Sequence, residues 1–251
     1  MNTQIIAVAN QKGGVGKTTT AVNLSALLGA MGQRVLMIDL DPQGNTTSGL
    51  GMEVDDKSIY EVIMGRMKLT DVMEETEFKN LSIAGSDVRL ANAELELVEV
   101  EKREYRLKTA VQSVQQDFDF IFIDCPPSLG LLTINALGAA DSVLIPIQCE
   151  YFALEGVSAL MGTIQKVQKM NRHLAIEGVV LTMLDARTNL GVQVAQEVRK
   201  VFKNKVYQTV IPRNVRLGEA PSHGLTISLY DPRSLGAQSY QQLAKEFLAR
   251  E

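Results

Sequence analysis

The stretch IIAVANQKGGVGKTTT, residues 5–20, decides the fold, because an apolar run leads directly into a glycine-rich turn. Beyond the turn, Val22, Leu24, Leu27 and Leu28 recur at helical spacing. A second apolar run, RVLMIDLD at 34–41, follows that helix. The order of strand, turn, helix and strand predicts a βαβ unit with its glycine-rich turn at the carboxyl end of the first strand.

Later apolar runs extend this pattern into a larger sheet. They are continuous rather than alternating, which indicates parallel strands covered by helices on both faces. We therefore predict one α/β domain over 1–251 with a mostly parallel twisted sheet. The further predicted strands are 118–127, 141–148, 176–184 and 205–212, and the further predicted helices are 131–139, 154–170, 191–203 and 234–249. The less regular part, 52–110, contains a charge-rich stretch at 94–108 that we interpret as an exposed helix.

Bulk composition excludes several classes of protein. The chain has 251 residues, of which 45% are hydrophobic, and a net charge of −4, so it is not basic overall and any nucleic-acid surface must be local. We find neither a secretory leader nor a membrane span, and expect a cytoplasmic protein. The two cysteines, Cys125 and Cys149, form no metal-binding pair in the sequence, and we expect two buried, reduced thiols.

The turn at 11–18, QKGGVGKT, nearly matches a phosphate-binding loop, with Gln11 where the first glycine usually stands. Glycines let backbone N–H groups close around phosphate oxygens at the start of a helix. Lys17 then reaches the β- and γ-phosphates, Thr18 binds Mg²⁺ and Thr19 contacts the α-phosphate. The predicted nucleotide-binding residues of this turn are Lys12, Gly13, Gly14, Val15, Gly16, Lys17, Thr18 and Thr19.

Carboxylates follow two of the predicted strands. Asp124, after FIFI, has the form of a strand-end carboxylate that holds Mg²⁺ from across the site. Asp39 and Asp41 end the second strand, and their spacing puts them on one face of an extended chain. We assign Asp41 to orienting the attacking water, and Asp39 to supporting the metal.

Together, KGGVGKTTT (12–20), DLDPQGN (39–45), IDCPPSLGLLTINAL (123–137) and VIPRNVRLGEAPSHG (210–224) resemble the ParA/Soj family of partition ATPases, over residues 3–248. The resemblance implies ATP and Mg²⁺ as cofactors, slow, partner-stimulated ATP hydrolysis, and a homodimer formed when ATP is bound. It implies that Lys12 reaches the phosphates of the other subunit, whereas Lys17 acts within its own. It also implies adenine contacts at Pro212 and Asn214.

A local basic segment stands out between 187 and 216, where seven basic residues accompany one acidic residue. Such asymmetry indicates a surface for phosphate backbones, without sequence preference and sensitive to salt. The family resemblance assigns non-specific binding of double-stranded DNA to Arg187 and Arg216. It further implies a ParB-type partner, a role in chromosome or plasmid partitioning, and association with the nucleoid.

Three alternative functions are left open. A MinD-like ATPase acting at a membrane or protein surface needs a basic amphipathic tail, whereas the charges of the last predicted helix cancel and Tyr240, Leu243 and Phe247 share one face. An electron-transfer ATPase similar to the nitrogenase iron protein needs cluster-binding cysteines, and neither cysteine here matches that pattern. A scaffold that binds nucleotide without hydrolysing it would not need a residue to orient the attacking water, so Asp41 argues against that function.

Overall fold

The computed structural model describes residues 3–150, 153–185 and 187–250, except for the side chains of 153–156. One eight-stranded sheet has the order β3-β4-β2-β5-β1-β6-β7-β8. Neighbouring strands are parallel except β3, which pairs antiparallel with β4 at the sheet edge. The strands are β1 (Gln4–Val8), β2 (Val35–Asp39), β3 (Met73–Glu75), β4 (Leu81–Ala84), β5 (Phe120–Asp124), β6 (Ser142–Gln148), β7 (Ala175–Leu184) and β8 (Val206–Pro212).

Helices cover both faces of the sheet. Those of the described residues are α1 (Lys17–Ala30), α2 (Asn45–Gly49), α3 (Ile59–Ile63), α4 (Leu90–Glu96), α5 (Arg106–Gln112), α6 (Leu131–Ala139), α7 (Ala153–Val167), α8 (Asn189–Phe202), α9 (Arg216–Glu219), α10 (Ile227–Tyr230) and α11 (Leu235–Arg250). Short 3₁₀ turns occupy Leu69–Asp71, Arg103–Tyr105, Gln115–Asp117, Lys203–Lys205 and Ala220–His223.

Successive residues of each central strand enter opposite cores, as a strand buried on both faces requires. In β1, Ile5 and Ala7 join the core beneath α3 to α8, whereas Ile6 and Val8 join the core beneath α1 and α11. The fold class predicted from the sequence is therefore confirmed. Because parallel strands end at one edge, the segments after β1, β2, β5 and β6 meet there.

The predicted helix over 94–108 is wrong in two respects. The chain forms α4 and α5 instead, separated by a break in which Lys102 has a φ of 55°, in the left-handed region that ends a helix. Leu97 and Leu107 are both fully buried, so one side of the segment packs against the core, whereas Leu95 and Val98 are exposed. Strands β3 and β4 were not predicted, because both are short and β3 carries two exposed glutamates.

Packing of α11 explains its apolar face. Phe247 is fully buried, and its ring centroid lies 5.4 Å from that of Phe120 and 5.8 Å from that of Phe122. The hydroxyls of Tyr240 and Thr20 are 3.1 Å apart, which joins α11 to α1. The prediction that this helix packs on the body of the protein is confirmed.

We expect Phe247→Ala to lower the free energy of unfolding by about 3–5 kcal/mol, because it removes a buried ring and leaves a cavity between α11 and the sheet. Urea denaturation checks this value. Leu235→Ala, at a position 65% exposed on the same helix, is the matched control, with a change of about 0.5 kcal/mol or less. Equal losses for the two variants would contradict the packing of α11.

Candidate nucleotide-binding site

The turn between β1 and α1 has the backbone of a phosphate cradle. Gly14 and Gly16 have φ values of 71° and 87°, which side chains other than glycine rarely adopt. A Cβ on Gly13 or Gly14 would meet no atom within 4 Å, so space is open beside the loop. Gly16 caps α1 without a side chain, which leaves the first N–H groups of this 14-residue helix available to an anion.

Lys17 lies inside this cradle. Its side chain belongs to a residue that is only 7% exposed, and its Nζ donates to the carbonyl oxygen of Lys12 at 3.3 Å. Burial lowers the pKa of Lys17, while the charges of Asp124 and Asp41 act in the opposite direction. A desolvated ammonium group of this kind is stabilised by a bound anion, as the phosphate-binding role requires.

Asp124, at the end of β5, has one oxygen occupied and one without a partner. Its Oδ2 accepts hydrogen bonds from the hydroxyls of Thr18 and Thr46, each at 2.7 Å. Its Oδ1 is buried, and none of the described residues forms a hydrogen bond with it. Burial raises the pKa of Asp124 to about 6, against the two threonine hydrogen bonds and Lys17, which lower it.

The oxygens of Asp124 and Thr18 fit a magnesium ion. Mg²⁺ typically takes one or two protein oxygens, with phosphates and water completing its shell. The described residues contain no cluster of three or more histidine, cysteine, aspartate or glutamate side chains able to enclose a metal by themselves. The unpartnered Oδ1 of Asp124 and the hydroxyl of Thr18 are the atoms suited to such an ion.

Asp39 and Asp41 occupy different positions after β2. Asp39 is fully buried, and its Oδ2 accepts from both the N–H and the hydroxyl of Thr47, at 2.9 and 2.7 Å. Its Oδ1 accepts from the N–H of Asp41 at 3.2 Å, so Asp39 holds this turn in shape. Burial, followed by the charge of Asp124, raises the pKa of Asp39 to about 7. Asp41 is 6% exposed and accepts from the N–H of Gln43 at 3.0 Å.

Lys12 is engaged elsewhere. Its Nζ lies 3.1 Å from Oε2 of Glu150, two residues after the end of β6, and 34% of the Lys12 side chain is exposed. Glu150 also faces Arg213 at 3.5 Å and contacts the side-chain amide of Gln148. The two loop lysines thus have separate environments, one within the cradle and one on the surface beside it.

A cleft of about 470 Å³ opens next to the cradle. Its wall brings Pro212 and Asn214 together with Gly16 and Thr19, as the adenine assignment requires. Thr182, which also lines the cleft, donates to the carbonyl oxygen of Val15 at 2.8 Å and fixes the loop against β7.

Arg187 and Arg216 are both exposed and already paired. The guanidinium of Arg187 donates to both carboxylate oxygens of Asp185, at 2.9 and 2.8 Å, and its hydrogen bonds lower the pKa of Asp185 to about 2. Arg216 donates to Glu219 at 2.7 Å and lies 3.5 Å from Asp231. If either arginine bound a phosphate group of DNA, the phosphate oxygens would have to replace these carboxylates as its partners.

Sequence reasoning missed Thr46, Thr47 and Glu150. The two threonines follow the strand-end aspartates in QGNTTSG, and hydroxyls so close to buried carboxylates are a usable signal. Glu150 is 138 residues from Lys12, and only the pairing of β1 with β6 brings the two segments together.

Raised pKa values for Asp39 and Asp124 predict a pH dependence of stability. Both carboxyls hold a proton more tightly in the folded chain than in the unfolded chain, so the free energy of unfolding falls as pH rises from about 4 to 7. For the nucleotide-free, metal-free protein, we expect a Tm roughly 4 °C or more lower at pH 8 than at pH 5 by calorimetry.

The other carboxyls with shifted pKa values do not change the free energy of unfolding between about pH 5 and 8. The pKa values of Asp87, Asp119, Asp185, Glu219 and Glu246 are all lowered, so their contribution to stability changes only below about pH 5. Asp39→Asn is the control variant and should flatten the dependence. A Tm that rises from pH 5 to 8, or an unchanged slope in the variant, would contradict the assignment.

Comparison with known proteins agrees with this geometry. Residues 3–176 match the family model described as AAA domain. The chain is 60% identical over 249 residues to the sporulation initiation inhibitor protein Soj of Bacillus subtilis, covering 98% of each chain. It is 50% identical over 251 residues to the chromosome partitioning protein ParA of Myxococcus xanthus, covering 99% of this chain and 89% of that one.

A solved structure shares the fold over nearly the whole chain. Cobyrinic acid a,c-diamide synthase from Mycobacterium smegmatis, solved with a bound ATP analog and magnesium, superposes with a TM-score of 0.86 at 37% identity. The alignment covers 99% of this chain and 95% of that chain.

The cradle, its buried lysine and the acidic strand ends define a phosphate-loop ATPase with a second lysine in the loop. Within that class, the chain belongs to the ParA/Soj family of chromosome partitioning ATPases. The family membership and ATPase activity predicted from the motifs are confirmed.

Proposed function

We propose that the whole chain, 1–251, is one ATPase domain that forms a homodimer when ATP binds, binds double-stranded DNA without sequence preference, and releases it after hydrolysis. This cycle would move a chromosome or plasmid with a ParB-type partner at the nucleoid, in the cytoplasm. The supporting observation is the separation of the two loop lysines: Lys17 lies in its own cradle, whereas Lys12 pairs at the surface with Glu150.

ATP and Mg²⁺ are the proposed cofactors. The loop N–H groups and Lys17 would bind the phosphates, while Thr18 and Asp124 would hold the metal ion, which when bound neutralises charge on the β- and γ-phosphates. Pro212 and Asn214 would contact the adenine in the neighbouring cleft. Asp39 would support the site by accepting hydrogen bonds from Thr47 and from the backbone N–H of Asp41 rather than by binding the metal ion directly.

Asp41 would orient the attacking water. It follows β2 beside Asp39, it is nearly buried, and one of its oxygens is fixed by the N–H of Gln43. A carboxylate held in this way can accept a proton from water in line with the γ-phosphate. Lys12 from the other subunit would then stabilise charge on the phosphates in the transition state, because positive charge placed there accelerates phosphoryl transfer.

Binding of ATP would also control the affinity for DNA. The basic segment carries Arg187 and Arg216, and dimerisation doubles the number of cations that face a phosphate backbone. Because each phosphate contact adds to affinity and to salt sensitivity, two weak surfaces joined in a dimer bind far more strongly than one.

We expect Arg216→Ala to dimerise with ATP yet to bind non-specific duplex DNA at least about tenfold more weakly, with the slope of log K against log salt reduced by about one per subunit. Sedimentation and a salt series of DNA titrations with ATP, ADP or no nucleotide check both statements. Arg233→Ala, an arginine outside the basic segment, is the control and should bind normally. The proposed control of DNA binding by ATP would be refuted if DNA affinity did not depend on the nucleotide, or if the ATP-bound dimer failed to bind DNA.

A membrane-acting, MinD-like function has less support. The apolar side chains of α11, Tyr240, Leu243 and Phe247, are buried against the body of the protein, so this helix has no apolar face for a bilayer. Among the described residues, the structure has no helix long and apolar enough to span a membrane.

An iron–sulfur cluster is likewise unsupported, because Cys125 and Cys149 are buried and burial raises the pKa of both thiols.

A further inference from the structure

A second cavity lies away from the phosphate loop, between the end of α3 and α5. Its volume is about 510 Å³, comparable to that of the cleft beside the phosphate loop. One part of its wall is apolar, and includes Val62, Met67, Leu69 and Ala110. Another part is cationic and consists of Lys68, Lys102 and Arg106, with Glu101 as the acidic residue of the lining.

The cationic part of this wall has no charge partner within the described part of the chain. Among the described residues, no carboxylate lies within 4.0 Å of a charged nitrogen of Lys68, Lys102 or Arg106. The Nε of Arg106 is buried, and the described residues offer it no hydrogen-bond acceptor. Buried polar atoms are nearly always hydrogen-bonded, so the guanidinium of Arg106 lacks both a charge partner and a full set of acceptors within the described part of the chain.

The surroundings of Arg106 approach one side of its guanidinium closely and fix the neighbouring backbone. Gly65, with a φ of 76°, lies against it, and a Cβ at that position would be 2.6 Å from Arg106 Nη1. Asn135 of α6 fixes the backbone on either side, because its Oδ1 accepts from the N–H of Leu107 at 3.2 Å and its Nδ2 donates to the carbonyl oxygen of Arg103 at 2.9 Å. A fixed backbone lowers the entropic cost of binding an anion to the cation that it carries.

We propose that this cavity is a binding site for a small organic anion, whose carboxylate or phosphate group is bound by Arg106 with Lys68 and Lys102, and whose apolar portion contacts Val62, Met67 and Leu69. Two features set the ligand class: the guanidinium binds planar or tetrahedral oxyanions, and the volume exceeds what a bare phosphate ion fills. The site is independent of the proposed dimer and DNA functions.

The test titrates phenyl phosphate, benzoate and inorganic phosphate into the protein held saturated with ADP and Mg²⁺, so that the phosphate loop does not compete. NMR follows the Nε–Hε signal of Arg106 and the backbone amides of 105–110. We expect saturable shifts, with phenyl phosphate or benzoate bound more tightly than inorganic phosphate. Arg106→Gln should weaken binding at least about tenfold, the loss expected for one charged hydrogen bond.

Arg103→Gln is the matched control, because Arg103 belongs to the same segment, pairs with Glu104 and does not line the cavity. It should bind the probes as the wild type does. Lys102→Gln, at an exposed position, tests the same wall without disturbing a buried atom and should weaken binding severalfold. Shifts that do not saturate, or that persist equally in Arg106→Gln and Lys102→Gln, would overturn the proposal.

Discussion

Replacing Lys12 by alanine is expected to lower kcat for ATP hydrolysis by about 10³-fold, the scale of removing a cation supplied to the phosphates from another subunit. Affinity for ADP should change little, because Lys12 pairs with Glu150 at the surface rather than lying in its own cradle. Single-turnover hydrolysis and equilibrium titration with a fluorescent ADP analogue separate the two effects.

Lys17→Ala provides the contrast. Lys17 is buried inside the cradle, so its loss should abolish tight nucleotide binding as well as hydrolysis. If Lys12→Ala weakened ADP binding as much as Lys17→Ala does, both lysines would belong to one subunit's site, and the division of roles would be wrong.

The second large effect concerns Asp41. Asp41→Ala should lower kcat by about 10²–10⁴-fold, the range for loss of a positioned general base, while ATP still binds. The ATP-bound dimer should therefore persist for much longer than in the wild type. Sedimentation after addition of ATP, together with phosphate release, measures both consequences.

Asp56→Ala is the control for this variant, because Asp56 is fully exposed and lies outside the site, with a distant pairing to Arg89 at 4.0 Å. Its turnover and dimer lifetime should match those of the wild type. If Asp41→Ala hydrolysed ATP at the normal rate, another residue would have to orient the attacking water.

Local sequence signals predicted the central sheet and the phosphate loop well. The runs that became β1, β2, β5, β6, β7 and β8 are apolar and bounded by turn residues, and the loop sequence carries its own backbone requirement in Gly14 and Gly16. These features depend on neighbouring residues, which is why one sequence was enough to find them.

Features that depend on distant contacts were not predictable. Charge along 94–108 suggested an exposed helix, yet Leu97 and Leu107 are buried by packing that the local pattern does not reveal. The pairing of Lys12 with Glu150 and the full occupation of the Asp39 oxygens by Thr47 and Asp41 likewise require the folded sheet edge. The family resemblance supplied the trans role of Lys12 and the adenine contacts.

The action of Lys12 across the dimer is tested most directly by mixing two inactive proteins, Lys12→Ala and Asp41→Ala, and measuring ATP hydrolysis. If Lys12 acts across the dimer, the Lys12→Ala subunit keeps its own Asp41 and receives Lys12 from its partner, so one site per heterodimer works. We predict recovery of about a quarter of wild-type activity at equal concentrations, since half of randomly paired dimers are mixed. A mixture that stays as inactive as its components would show that Lys12 and Asp41 must belong to the same subunit, and would contradict the account.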